Sequence, residues 1–228
     1  MSSRNILPRH TASEEWLVSY SSGALSEPKR LVIECQSAIE PSIRAKLNVL
    51  DDLGGAFIES AQGEKLSSDF LHRLSAALPS DAQSKSAQNP DERSSRESLQ
   101  STWIPRPLQN FLDNSEINLK WKKSGYGVER AFLGQHENER LYLLKAKPGL
   151  KLPTHSHSGQ EWTLILQGGY HVNGQGFTRG DLHCEDETCM HQPIIDNDGE
   201  DCISLVVDEG ALIFDNPILN LLQPIVKI

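Results

Sequence analysis

His155, His157, Glu161 and His191 are the residues whose types and spacing carry chemistry in this chain. The segment Gly149-Leu-Lys-Leu-Pro-Thr-His155-Ser-His157-Ser-Gly-Gln-Glu161-Trp-Thr-Leu-Ile-Leu-Gln-Gly168 sets two imidazoles and a carboxylate between two glycines. Side chains alternate faces along a β-strand, so His155 and His157 point the same way. Glu161 then enters the next strand and turns its carboxylate onto the same centre. Such donors suit divalent zinc, iron, manganese or nickel far better than calcium. One divalent ion is therefore the expected cofactor, with zinc the first expectation and iron, manganese or nickel the alternatives. The bland alternative is two surface histidines and a glutamate beside a turn.

Strands must position these donors, and the second half of the chain supplies them. From about Trp103 onward the pattern alternates in the β manner: 140–147, 161–166, 170–173 and 202–207 are apolar runs separated by Gly, Asp and Asn turns. Gly168-Gly169 and Asn173-Gly174 are turn signals, and the second suits a tight hairpin. Short, regularly spaced strands predict a closed or sandwiched barrel.

The first half reads differently. Thr11-x-x-Glu14 has the form of a capping box, with Trp16, Leu17 and Tyr20 behind it and Gly23 as the stop. Ser26 opens a second helix with Pro28 in its first turn and the stripe Leu31, Cys35, Ile39. Pro41 opens a third, striped by Ile43, Leu47, Leu50 and Phe57, and a fourth carries Phe70, Leu71, Leu74 and Leu78 before Pro79. Four short amphipathic helices predict a small bundle, marginal by itself. Between the halves, 80–100 is dominated by serine and charge and reads as a linker, phosphorylation or docking being the functional alternative.

Composition bounds the rest. At 228 residues the chain is one large domain or two modest ones. A net charge of −9 and a pI near 5.4 argue against nonspecific binding to nucleic acid. No apolar run approaches the roughly 20 residues of a membrane helix, and the start lacks the apolar core of a signal peptide, so a cytoplasmic protein is expected. Cys35, Cys184, Cys189 and Cys202 form no CxxC and predict no disulfide framework. Two further ideas concern Cys184 and Cys189: a redox pair, or a second metal shared with His183 and His191.

Gly149, His155, His157, Glu161 and Gly168 match every defined position of Gly-x5-His-x-His-x3-Glu-x6-Gly, so the second half resembles the cupin family. The resemblance implies a double-stranded β-helix barrel, with His191 as the third histidine from a later strand. No Pro-x-Gly precedes His191, which departs from the family's second motif. The whole chain resembles the ChrR-type anti-sigma factors, carried by His10, the run Tyr20-Ser-Ser-Gly23-Ala-Leu25-Ser26-Glu27 and the tail from Phe214 to Ile228. That resemblance implies a helical domain (1–79) binding an extracytoplasmic-function sigma factor, a linker (80–102) and a metal-binding cupin (103–228) responding to singlet oxygen or peroxides. It also implies zinc in the helical domain through a first histidine, kept here as His10, and a His-x3-Cys-x2-Cys triplet. The triplet reads Gln36, Glu40 and Ile43, so no zinc is expected there. Trp16, Leu17, Leu31 and Phe57 are the candidate partner contacts, with bundle core as the alternative for each. The competing reading is a metal-dependent cupin enzyme of dioxygenase or isomerase type. Its candidate acids and bases are His171, His183, Glu185 and Tyr142, none placed by a motif, so no catalytic residue is assigned. A metal that merely staples the barrel is a third reading.

Overall fold

A computed structural model of the chain describes residues 10–77, 102–125 and 127–216. Helix α1 (Glu14–Ser21) is capped by Ser13, whose Oγ accepts from the Trp16 amide at 3.3 Å. The expected box on Thr11 is thus displaced by two residues, because Ser13 is the residue with extended backbone at the helix start. Gly23, at φ 74°, ends the turn after α1 as its position predicts. Helix α2 (Glu27–Ile39) carries proline in its first turn, and α3 (Pro41–Ser60) begins on one. Helix α4 (Phe70–Ala77) buries no residue, so it adds nothing to a bundle core. Leu78, Pro79 and the linker up to 101 lie outside the described residues.

A fifth helix, α5 (Arg106–Asn114), stands where strand was expected. Leu108 and Leu112, one helical turn apart, are its buried residues, and Pro107 sits in its first turn. It packs against α2.

The strands are β1 (Lys122–Lys123), β2 (Val128–His136), β3 (Glu139–Ala146), β4 (His155–His157), β5 (Glu161–Gln167), β6 (Gly169–Val172), β7 (Gln175–Thr178), β8 (Leu182–Glu185), β9 (Ile194–Ile195), β10 (Cys202–Asp208) and β11 (Leu212–Phe214). Six form one antiparallel sheet in the order β1-β2-β3-β10-β5-β8, faced by the sets β7-β6-β9 and β11-β4. Asn173 and Gly174, both at positive φ, make the two-residue hairpin between β6 and β7, as the Asn-Gly pair predicts. At Gly168, φ 64°, a Cβ would lie 3.0 Å from the Asp201 carbonyl oxygen, so glycine is required where β5 turns into β6.

Alternation along the six-stranded sheet separates two cores. Leu141, Leu143, Trp162, Leu164, Leu205 and Val207 face the helices and join Leu17, Leu31, Val32, Cys35, Ile43, Leu47 and Leu108 in one cluster. Ile165, Ala146 and Cys202 face the other way, with Tyr170, Val172, Phe177 and Ile195 inside the barrel. Strand β10 is buried along its whole length because both faces are covered. The helical segment therefore uses the sheet as its floor instead of closing a core of its own. Burying a leucine or isoleucine contributes about 1.5–3 kcal/mol, so docking on the sheet stabilises α1 and α2 more than their propensity does.

Candidate metal centre

The barrel interior brings three of the four expected donors into one cluster. On β4, His155 and His157 lie two residues apart and face inward together. An isolated antiparallel bridge sets His191 beside His155, with backbone bonds of 2.9 and 2.8 Å in the two directions. All three imidazoles are buried, and their donor atoms lie within 4.8 Å of one another. The Nε2 atoms of His155 and His191 are 3.1 Å apart. Two nitrogens bound about 2.0–2.1 Å from one tetrahedral ion sit roughly 3.3 Å apart, so this spacing suits shared ligation. His155 Nδ1 lies 2.8 Å from the Pro153 carbonyl, so an Nδ1–H donates to that oxygen and leaves Nε2 unprotonated for a metal. His157 Nε2 is buried with no hydrogen-bond partner. A buried ring nitrogen without a partner, beside two imidazole nitrogens 3.1 Å apart, fits a cation and is unfavourable without one.

Glu161 stands at the edge of this group. Its Oε2 is 3.6 Å from His157 Nδ1, and its Oε1 accepts from Thr163 Oγ1 at 2.9 Å. Burial raises its pKa to about 7, with Asp208 adding in the same direction. Burial also lowers His191 to about 4, helped by the neighbouring His155. His155 and His157 are lowered for the same first reason, burial. The imidazoles are therefore neutral near pH 7, the state that binds metal.

Glu185 carries no motif signal yet faces Glu161 directly across β5 and β8. Its Oε1 lies 2.7 Å from His183 Nε2 and 3.5 Å from His191 Nδ1, and His183 Nδ1 is 2.7 Å from the Tyr170 hydroxyl. Strand parity with Glu161 and Thr163 is the signal that finds both residues, once the pairing is known. Of the other candidates, Tyr142 lines the same cavity as the histidines and His171 does not. The Tyr142 hydroxyl donates to Asp208 (2.9 Å), which Arg140 also clamps with two bonds, while His171 is largely exposed and paired with Asp196.

Cys184 points away from His183, into the core under the helices, and Cys189 is exposed. All four cysteines are free thiols, and burial pushes Cys202 up to about 12 and Cys35 and Cys184 well above the thiol range. Among the described residues the metal-competent group is His155, His157 and His191, without a cysteine. The redox-pair and second-metal expectations for Cys184 and Cys189 are therefore corrected: adjacent strand residues face opposite sides.

A cavity of about 120 Å³ opens against the histidines, walled by Val128, Leu144, Leu152, Ile195 and Phe214. An apolar cavity of about 150 Å³ holds a benzene-sized molecule, so a compact, mostly apolar ligand fits beside the donors.

Among its described residues the helical segment holds no comparable donor set. Gln36 is wholly buried; its Oε1 accepts from the Ala12 amide (3.0 Å), and its Nε2 donates to the carbonyls of His10 (3.2 Å) and Gly180 (3.0 Å). Ile43 is core, and the His10 ring stacks on Phe177 with centroids 4.4 Å apart. An engaged amide and an isoleucine do not fit a zinc site. Of the candidate partner contacts, Leu17 and Leu31 are core, Trp16 stacks on Trp162, and Phe57 is 67% exposed.

A family model described as "ChrR Cupin-like domain" matches residues 115–211. The Anti-sigma-E factor ChrR of Cereibacter sphaeroides is 30% identical over 221 residues, 96% of this chain and 99% of that protein. The crystal structure of Rhodobacter sphaeroides SigE in complex with the anti-sigma ChrR matches with a TM-score of 0.70 at 28% identity, covering 88% of this chain and 98% of that one. Identity at that level along nearly the whole of both proteins shows the family: this chain belongs to the ChrR anti-sigma factors.

Proposed function

We propose that the chain binds and inhibits an extracytoplasmic-function sigma factor in the cytoplasm through its helical module, expected at 1–79. The carrying observation is kinship along 96% of the chain with an anti-sigma factor, a relative of which has been solved in complex with SigE. That kinship supports a regulatory role over an enzymatic one. Among the described residues no helix is long and apolar enough to cross a membrane.

The described surface supports a protein partner. Val49, Leu53, Phe57 and Ile58 on α3, Leu66 after it, and Leu71 and Leu74 on α4 are all large apolar side chains left exposed. Val49, Leu53 and Phe57 recur every four residues on one face of α3, where it has run past the shared core, and exposed apolar side chains so arranged suit an interaction site. Phe57 is the sigma contact kept from the expected four. Trp16, Leu17 and Leu31 support the module by packing it onto the sheet.

The barrel serves as the sensing half. His155, His157 and His191, with Glu161 beside them, would hold its metal, zinc first, which would supply a Lewis-acidic centre. The apolar walls select a small oxidised molecule by size, and the imidazoles are themselves oxidisable. The test is affinity purification of the tagged chain from its native cytoplasm, followed by mass spectrometry. A stoichiometric sigma factor, lost on Phe57→Asp, is the expected result. Soluble, folded protein that brings down no sigma factor overturns the assignment.

A further inference from the structure

The segment from His157 to Trp162 has two sides. We propose that it makes metal binding in the barrel and seating of the helices on the sheet depend on each other, with Trp162 and Lys29 as the positioning residues. The inference rests on the barrel holding a metal, as proposed above. Three observations carry it.

The first is parity on β5. Glu161 and Thr163 face Glu185 and His183 in the cavity, whereas Trp162 faces Cys184 and the helices. Trp162 is buried under α1, its ring centroid 4.2 Å from that of Trp16, so a displacement of Glu161 along the strand is felt at α1.

The second is the loop between His157 and Glu161. Ser158 N donates to the Ala211 carbonyl (3.0 Å), Ala211 N to Ser158 Oγ (2.8 Å), and Glu209 N to the Gln160 carbonyl (3.0 Å). Contact is close enough that a Cβ on Gly210 would lie 2.9 Å from the Ser158 carbonyl carbon. The metal-motif loop and the turn after β10 therefore move as one body.

The third is Lys29 on α2. Its ammonium pairs with Glu209 in that turn and with Glu139 at 3.1 Å, and it lies 5.4 Å from the centroid of the Trp162 ring. Both pairs are largely buried, so the ion pairs are weakly screened, and loss of Lys29 leaves Glu139 nearly uncompensated. Lys29 thus grips, from the helical side, the same turn that braces the loop bearing the metal donors.

Coupling of this kind is reciprocal: whatever factor helix seating contributes to metal affinity, the metal returns to helix seating. A sigma factor that rearranges α1 or α2 would then be felt at the histidines, and a change at the histidines would be felt by sigma.

The test is Zn²⁺ affinity of the full chain, by competition with a chromophoric chelator, in wild type, Lys29→Met and Glu209→Gln. Hydrogen exchange of α1 and α2 is followed with and without Zn²⁺. The expected result is a Zn²⁺ affinity at least about five-fold weaker in Lys29→Met, with slower α1 and α2 exchange in the zinc-bound wild type. Lys147→Met, which removes an exposed pair with Asp201 remote from the helices, keeps wild-type affinity. Glu209→Gln is the gentler variant should Lys29→Met fail to fold. Equal affinity in folded variants, or α1 and α2 exchange indifferent to Zn²⁺, overturns the coupling alone. A wild-type chain that takes up none of Zn²⁺, Fe²⁺, Mn²⁺ and Ni²⁺ overturns the metal reading and the coupling with it.

Discussion

The barrel centre and the Gln36 junction perform the same mechanical task with different chemistry. At the barrel, His155, His157 and His191 bring β4 and the segment before β9 together through imidazoles, two of them with a buried nitrogen that makes no hydrogen bond. At the junction, Gln36 ties the N-terminal segment, α2 and the barrel turn at Gly180 with three hydrogen bonds. Asp181 accepts from the His10 amide at 3.0 Å, and His10 accepts from Leu182 at 2.7 Å, completing the junction. A saturated amide network is closed to small molecules, whereas a partly unsatisfied imidazole cluster is open to a cation. The barrel cluster is thus the place that could take a cation, and the junction is the place that holds geometry fixed.

Substitution at each centre separates the two roles. His157→Ala removes a buried donor and should weaken Zn²⁺ binding by about 100-fold or more, while helical content is kept; chelator competition and circular dichroism check both. Stripping metal from wild type should also lower the melting temperature, because an ion that binds only the folded state stabilises it. Gln36→Leu should destabilise the fold by about 2–4 kcal/mol and, acting on the metal only through helix seating, weaken Zn²⁺ binding far less than His157→Ala does. It strands the buried groups that the amide satisfied, at about 1–3 kcal/mol for each one fully orphaned. Urea unfolding of the metal-loaded chain measures this, and a large change in Zn²⁺ affinity would erase the contrast.

Protonation sharpens the contrast further. Glu161, raised to about 7, must lose its proton to support a cation, so Zn²⁺ affinity should climb up to tenfold per pH unit below about 7 and level off above it. Glu161→Gln should flatten that profile. In the metal-free chain Glu161's raised pKa contributes stability fully present below its ordinary value of 4.5 and lost as pH rises through about 7. His191, lowered to about 4 from 6.5, acts oppositely: the unfolded chain binds the extra proton, so stability is lost as pH falls through that window. The smallest effect distinguishes helix caps. Ser13→Ala should cost about 1 kcal/mol and Thr11→Ala much less, since Ser13 makes the capping bond.

The legible parts of this protein are local in origin. The metal motif, the Asn173-Gly174 hairpin, the stop at Gly23 and the proline starts of α2 and α3 each depend on a few neighbouring residues. Helix α5 was not legible, because its stripe of Leu108 and Leu112 is short and gains its meaning from α2 beside it. Phe57 read both as a stripe residue with Ile43 and Leu47 and as a candidate partner contact, and it is exposed because α3 outruns the sheet that buries the other two. Glu185 was a candidate without a place, because its role depends on which strand lies opposite Glu161.

The amino-acid sequence already carried the candidate donors of the barrel centre, the strand-rich and helical halves, and the replacement of metal-binding side chains by Gln36 and Ile43. Those follow from side-chain type and short-range periodicity. Tertiary structure alone decided that the helices share the sheet's core, that Gln36 works as a hydrogen-bonded tie, and that Glu161 and Trp162 serve opposite faces of one strand. Each depends on residues distant in the chain meeting across a packed interface, and strand pairing and burial, which no local pattern encodes, choose which residues meet.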